Sequence, residues 1–205
     1  MIVFASKSTK AMFGDVTEDI ATVKMNEKYP SIMEHLLPFA EQAKKRFDKG
    51  DFWWELRNCA YYELFAKPKI IFPNLQSTNK FAFDNTGVYL NAPAVFLPTN
   101  DTYLLAILNS KVVWHFLKSI CVVRSGGYIE VKPQYFEQIP IPEISNEEKK
   151  LFIVLVNQIL VNKQQGKDTI AIENVLDKMV YDLYQITPEE QTIIEAGKPI
   201  RLIEK

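Results

Sequence analysis

Histidine and cysteine, the side chains most used for nucleophilic catalysis and transition-metal binding, are scarce in this chain. Histidine occurs twice, as His35 and His115, and cysteine twice, as Cys59 and Cys121. Both histidines sit inside apolar helical patterns with no second ligand at metal-binding spacing, so core or boundary positions are expected of them. The cysteines lie far apart and form no Cys-x-x-Cys pair, which argues against a structural zinc and for a reducing compartment. Glu130-Val131-Lys132 has the Glu-x-Lys form that nucleases use on a strand to hold a divalent ion beside a phosphate, but no Pro-Asp dipeptide precedes it to complete the set. No glycine-rich phosphate loop and no Gly-x-Ser-x-Gly elbow occur. An enzyme acting on adenine would need an Asn/Asp-Pro-Pro-aromatic run to grip the flipped base. Asn91-Ala92-Pro93-Ala94 comes nearest, and it lacks the second proline and the aromatic. The chain by itself is therefore expected to be no enzyme, and to hold no metal or cofactor.

What remains is residues that bind. One group is aromatic and basic: Trp53, Trp54, Arg57, Tyr61, Tyr62, Lys67 and Lys69. The other is the turn Arg124-Ser125-Gly126-Gly127-Tyr128. An arginine fork can grip a phosphate or a guanine edge in two places at once. Paired glycines let backbone amides approach a phosphate closely. The alternative for the first group is that its Trp and Tyr rings are core. For Arg124 it is a pairing with a buried carboxylate.

The elements that position these residues follow from periodicity. Residues 30–49 predict a helix, with Ile32, Leu36, Phe39, Ala43 and Phe47 on one face and a kink at Pro38. Short extended runs follow at Lys69–Phe72, Phe81–Phe83, Val88–Leu90 and Ala94–Leu97, separated by turn residues. Asn100 or Asp101 is placed to cap a helix through Tyr103–Leu108, and Asn109-Ser110 to end or pause it before Val112–Ile120. Cys121–Arg124, the glycine pair and Tyr128–Lys132 predict strand, turn and strand. The tail predicts helices: Ser145 with Glu148 and Thr187 with Glu190 are capping boxes, and Pro188 suits a first helical position. Gly50, Gly166 and Gly197 are expected to stop helices. The fold class expected is α+β, a mixed twisted β-sheet core with packed helices and an α-helical C-terminal segment, divided as 1–142 and 143–205 within one structural unit.

The chain has 205 residues, 24 basic and 25 acidic, with 47% hydrophobic and 12% aromatic residues. Such a composition excludes a disordered chain and a protein that coats nucleic acid through bulk charge. Charge is nonetheless uneven, since residues 40–142 carry twelve basic and nine acidic residues. No apolar run is long enough to span a membrane, and the lysines of MIVFASKSTK come in the wrong order for a secretory signal. A cytoplasmic location is expected.

The order of several short motifs resembles a known family. Lys28-Tyr29-Pro30, Gly50-Asp51, Trp53-Trp54-Glu55-Leu56-Arg57, Tyr61-Tyr62 and Lys67–Phe72 are followed by Tyr103–Lys111, Arg124–Tyr128 and Gln138-Ile139-Pro140-Ile141-Pro142. Together with the tail around Thr187–Glu190 they resemble the specificity domain of TaqI-like adenine-specific DNA methyltransferases and of type IIG restriction-modification enzymes. That resemblance implies a target-recognition module that binds double-stranded DNA across from a methyltransferase catalytic domain, in the same or a partner chain. S-adenosylmethionine would be bound by that catalytic domain. On this reading Lys69, Lys111, Arg124 and Lys132 contact phosphates, with Arg57 and the turn residues Ser125, Gly126, Gly127 and Tyr128 on the DNA-facing side. Asn74, Gln76, Asn79 and Lys80 are the candidates for reading bases. The alternative is a protein-interaction module that docks through its helical tail. There, Leu151, Val154, Leu155, Gln158 and Ile159, then Ile172, Val175, Leu176, Met179 and Leu183, are expected to share a face, more readily packed on the chain's own sheet than on a partner.

Overall fold

The computed structural model describes residues 4–57 and 59–197. Residues 1–3, Asn58 at the end of the Trp-rich stretch, and residues 198–205 of the expected C-terminal segment lie outside that set. The chain forms two compact units, residues 1–63 and 64–205.

The first unit is helical. Helices α1 (Ser6–Phe13) and α2 (Glu18–Lys28) precede the helix that periodicity predicts. The first escapes such a reading because its buried positions are Ser6 and Thr9, which no apolar pattern marks, and the second buries only Ala21 and Met25, too few to set a period. Pro38 divides the predicted helix more sharply than a kink would. α3 (Pro30–Leu36) ends in a 3-10 turn over Leu37–Phe39, and α4 (Ala40–Lys44) stops short of Lys49. Proline removes an amide and clashes with the preceding turn, which breaks the ladder there. The break also reorients the face: Met33 is buried, while Phe39 and Phe47, expected inside, are exposed. His35 is exposed as well, against a tilted Phe39 ring, and so does not occupy the core or boundary place expected of it.

The core of this unit is Ala21, Met25, Met33, Trp53 and Trp54. Glu55, fully buried, organises the chain beside it. Its Oε2 accepts from Ser6 Oγ at 2.7 Å and from the Phe52 amide at 3.0 Å. Arg46 donates to the carbonyls of Trp53 at 3.1 Å and Glu55 at 2.7 Å. Gly50 lies against this carboxylate: a Cβ there would stand 2.5 Å from Glu55 Oε2 and 2.6 Å from Ser6 Oγ. Gly50 is thus a close-approach glycine, not the helix stop expected from its position.

The second unit is α+β, and among the described residues its strands pair antiparallel in two sheets of three. β1 (Lys69–Pro73) lies between β3 (Ala82–Asp84) and β4 (Ala94–Leu97). The expected strand at Val88–Leu90 is irregular instead. The chain there wraps the Asp84 carboxylate, which accepts from the amides of Thr86 at 3.1 Å and Val88 at 3.2 Å. The other sheet has the order β2-β6-β5, from β2 (Leu75–Gln76), β5 (Val122–Val123) and β6 (Ile129–Glu130). Its strands are two residues each, so β2 carries no periodicity to read.

Helices α5 (Thr102–Asn109) and α6 (Lys111–Ile120) follow β4, and the short α7 (Pro133–Phe136) follows β6. Asp101 caps α5, accepting from the Leu104 amide at 3.1 Å. Ser110 ends α5 and caps α6. The Asn109 side chain mimics a strand neighbour, accepting from the Phe81 amide at 3.1 Å and donating to the Phe81 carbonyl at 2.9 Å. The pause between the two helices is therefore fastened to the start of β3.

The tail runs through α8 (Asn146–Gln164), α9 (Ile170–Leu183) and α10 (Pro188–Glu195), with both capping boxes formed. Phe152, Val156, Leu176 and Val180 join Ile70, Phe72, Ile107 and Leu117 in one hydrophobic core. Burying a side chain of this kind contributes roughly 1.5–3 kcal/mol. The buried face of α8 differs from the expected one, since Leu151 and Val154 are exposed. Two tyrosine hydroxyls secure the proline-rich segment that leads into the tail, Tyr103 to the Pro142 carbonyl at 2.8 Å and Tyr184 to that of Pro140 at 2.5 Å.

Candidate nucleic-acid interface

The small sheet builds the best candidate surface. β6 is its middle strand, so Glu130 stands opposite Leu75 on one side and Val122 on the other. Successive residues of a strand point to opposite faces. Ile129 and Gln76 are accordingly buried, while Glu130 shares the outer face with Leu75 and Val122. Residues 122–128 are all exposed, which brings the apolar Val122, Val123 and Tyr128 to solvent around Arg124.

The turn between β5 and β6 is closed by the Arg124 amide on the Tyr128 carbonyl at 2.6 Å and the Gly127 amide on the Arg124 carbonyl at 3.2 Å. Gly126 and Gly127 have φ of 76° and 78°. Two consecutive left-handed residues are readily adopted by glycine and poorly by side-chain-bearing residues. A built Cβ on Gly127 meets nothing within 4 Å, so backbone conformation, not crowding, requires glycine there.

Charge converges on Glu130. Arg124 donates to its Oε2 from Nε at 2.9 Å and from a terminal guanidinium nitrogen. Lys132 Nζ lies 3.3 Å from Oε1, and Asn74 Nδ2 is 3.5 Å from the same oxygen. The bond from Arg124 is the main reason the Glu130 carboxyl titrates below the usual range, helped by Lys132 against the opposing effect of burial. The pairing of Arg124 with a half-hidden carboxylate, one of the two possibilities for this residue, is thus realised.

Of the residues picked from the sequence, Arg124, Ser125, Gly126, Gly127, Tyr128, Lys132 and Asn74 come together at this sheet. Lys80 is exposed on the turn after β2, where its amide donates to Gln76 Oε1 at 2.9 Å. Four others are committed elsewhere. Lys69 does not reach solvent: its side chain is fully buried, ion-paired with Asp84 directly across the β1–β3 ladder, and donates to the Phe65 carbonyl at 2.7 Å. That burial removes it from the phosphate contacts. Gln76 is likewise buried. Asn79 donates to the carbonyls of Leu108 at 2.6 Å and Ser110 at 3.1 Å, tying β3 to the helix break. Lys111 pairs with Asp177 at 3.4 Å and Glu195 at 3.3 Å, joining α6 to α9 and α10.

Arg57 is exposed in the first unit. Its neighbours Trp53 and Trp54 are core, which settles those two rings in favour of the structural alternative. Sequence reasoning missed Glu130 as the centre of the cluster. The available signal was the Gly-Gly turn, which makes Arg124 and Glu130 neighbours on adjacent strands. A cavity of about 420 Å³ in the second unit lies elsewhere, between β3, α5, α8 and α9, with Asn79 in its wall. Among the described residues no three His, Cys, Asp or Glu side chains group as a metal site.

The profile of the TaqI-like C-terminal specificity domain matches residues 21–141. The chain belongs to that family. It is 28% identical over 167 residues to the type II methyltransferase M.MjaIV of Methanocaldococcus jannaschii, covering 75% of this chain and 55% of that protein. It is 26% identical over 149 residues to the type II methyltransferase M.BstVI of Geobacillus stearothermophilus, covering 70% of this chain and 24% of that protein. The chain thus spans less than two thirds of either relative.

Proposed function

We propose that this chain recognises a duplex DNA target and presents it to a separate catalytic domain that methylates adenine with S-adenosylmethionine, within a prokaryotic restriction-modification system. The observation that carries this reading is the exposed turn at 124–128 with its two left-handed glycines, next to Arg124 and Lys132 gathered on Glu130, inside the segment that matches a specificity-domain family. Arg124 and Lys132 would hold phosphates. Lys80 and Asn74 would read base edges, each good two-point contact being worth roughly 1–3 kcal/mol of discrimination. The near-neutral net charge suits half of a clamp whose other half shares the phosphate contacts.

The decisive test exchanges this domain for a relative's in the full-length methyltransferase and maps the methylated sites. The methylated sequence should follow the exchanged domain; an unchanged sequence refutes the recognition role. In the isolated chain, Arg124→Ala should weaken binding to all duplexes and flatten the salt dependence by about one ion.

A second reading, docking on a protein partner, draws on one observation. Leu151, Val154 and Val161 on α8 are exposed at helical spacing. It is compatible with the first, because a recognition module must also hold its catalytic partner. Pulldown of a catalytic subunit with no duplex binding in low salt would favour it alone.

A further inference from the structure

We propose that Glu130 is a specificity-determining residue: its carboxylate occupies Arg124 and Lys132 in the free chain, and phosphate must displace it. The inference rests on reading those two cations as DNA contacts, and it assigns them a built-in competitor.

The geometry is asymmetric in the way such a device requires. Glu130 is held on the middle strand with its side chain only 13% exposed, whereas Arg124 and Lys132 are 51% and 44% exposed. The acid is fixed and the bases are the movable arms. The Arg124 guanidinium spends Nε and one terminal nitrogen on the contact. Charge-assisted bonds of this kind are roughly twice as strong as neutral ones. A phosphate in a loose, non-specific encounter meets Arg124 through water and competes poorly with a direct contact. A phosphate pressed against the turn by a duplex whose bases are also engaged competes well. The three side chains together carry one net positive charge. Glu130 therefore lowers affinity for arbitrary DNA more than for the correct site.

The test is binding of the full 205-residue chain to a labelled mixed-sequence duplex of about 20 base pairs, at salt concentrations from 50 to 200 mM. Glu130→Gln adds one net positive charge to the cluster. It should bind the duplex more tightly at 50 mM and lose about 3.5-fold more affinity than wild type across that fourfold salt range, as one extra ion at a slope of about 0.9 requires. Glu130→Asp keeps the charge and should keep the wild-type slope. In selection from a randomised duplex library, Glu130→Gln should enrich its preferred sequences less sharply.

A folded Glu130→Gln with the wild-type slope overturns the assignment. Should that variant fail to fold, the wild-type chain still decides. The Arg124 Nε–H NMR resonance must shift when the duplex is added, and a resonance unchanged at saturation overturns the proposal. Wild type that binds no duplex at 50 mM sinks the DNA reading itself, whereas binding without the Glu130 effect sinks this assignment alone.

Discussion

Lys69 offers the sharpest test of how this fold uses its charges. Its ammonium is fully buried and has two partners, the Asp84 carboxylate and the Phe65 carbonyl. Asp84 is better supplied, since it also accepts from the Thr86 and Val88 amides and the Thr86 hydroxyl. The two halves of the pair should therefore respond unequally. Asp84→Asn strands a buried cation on neutral acceptors and should lose about 3–5 kcal/mol. Lys69→Met removes the cation and leaves a carboxylate that keeps three donors, so its loss should be nearer 1–3 kcal/mol. In urea, with a slope of about 2 kcal/mol per molar, Asp84→Asn should lower the midpoint by about 2 M. Lys69→Met should leave the salt dependence of DNA binding unchanged. Asp84→Asn tolerated as well as Lys69→Met, or a salt slope flattened by one ion in Lys69→Met, would refute the reasoning. The pair also sets a pH window. Burial alone would raise the Asp84 carboxyl, but the bonds from Lys69 and Thr86 outweigh it and hold it well below its ordinary value of 3.8. The unfolded chain takes up that proton first. The pair's contribution is thus present in full above the unfolded value and is lost as pH falls from there through the folded one.

Further predictions concern other positions. Gly50→Ala forces a methyl group against the Glu55 carboxylate and should lose about 1–3 kcal/mol in a thermal melt. Ser110→Ala removes a cap whose Oγ accepts from the Val113 amide at 3.2 Å and donates to the Ile107 carbonyl at 2.7 Å, for a loss of about 1–2 kcal/mol in urea. His115 is buried, and burial, helped by Lys118, lowers its pKa, so the unfolded chain takes up the proton first. Stability should fall as pH drops below about 6.5, and His115→Phe should abolish that slope in urea midpoints measured from pH 7.5 to 5. Burial pushes the Cys121 thiol up to about 11, so at pH 8 it should react with a disulfide reagent only on unfolding.

How much of this was legible beforehand depended on the distance over which each feature is decided. Ser145 with Glu148 and Thr187 with Glu190 form their caps within three residues and were readable from spacing, while spacing left the cap of α5 between Asn100 and Asp101, and the structure has Asp101. The strands at 69–73, 82–84 and 94–97 were readable from residue type. Val88–Leu90 has the same composition but follows an aspartate that captures the backbone amides after it, and a strand propensity does not register that.

The sequence by itself determined the boxed starts of α8 and α10, the pause at Asn109-Ser110, the Gly-Gly turn and the family. Local hydrogen bonds and steric limits act between residues a few positions apart, so the spacing of residue types is enough to specify them. Only the tertiary structure decided the fate of the cations. Lys69 and Arg124 are both basic residues at strand ends, the first opening β1 and the second following β5, yet one is buried against Asp84 and the other is held at the surface by Glu130. Strand register places Asp84 opposite Lys69 and Glu130 within reach of Arg124, and register is fixed by which faces the core buries. The same holds for α8, where packing turned Phe152 and Val156 inward and left Leu151 and Val154 in water. Burial is a property of the whole fold, so residue types alone do not assign it to one lysine over another.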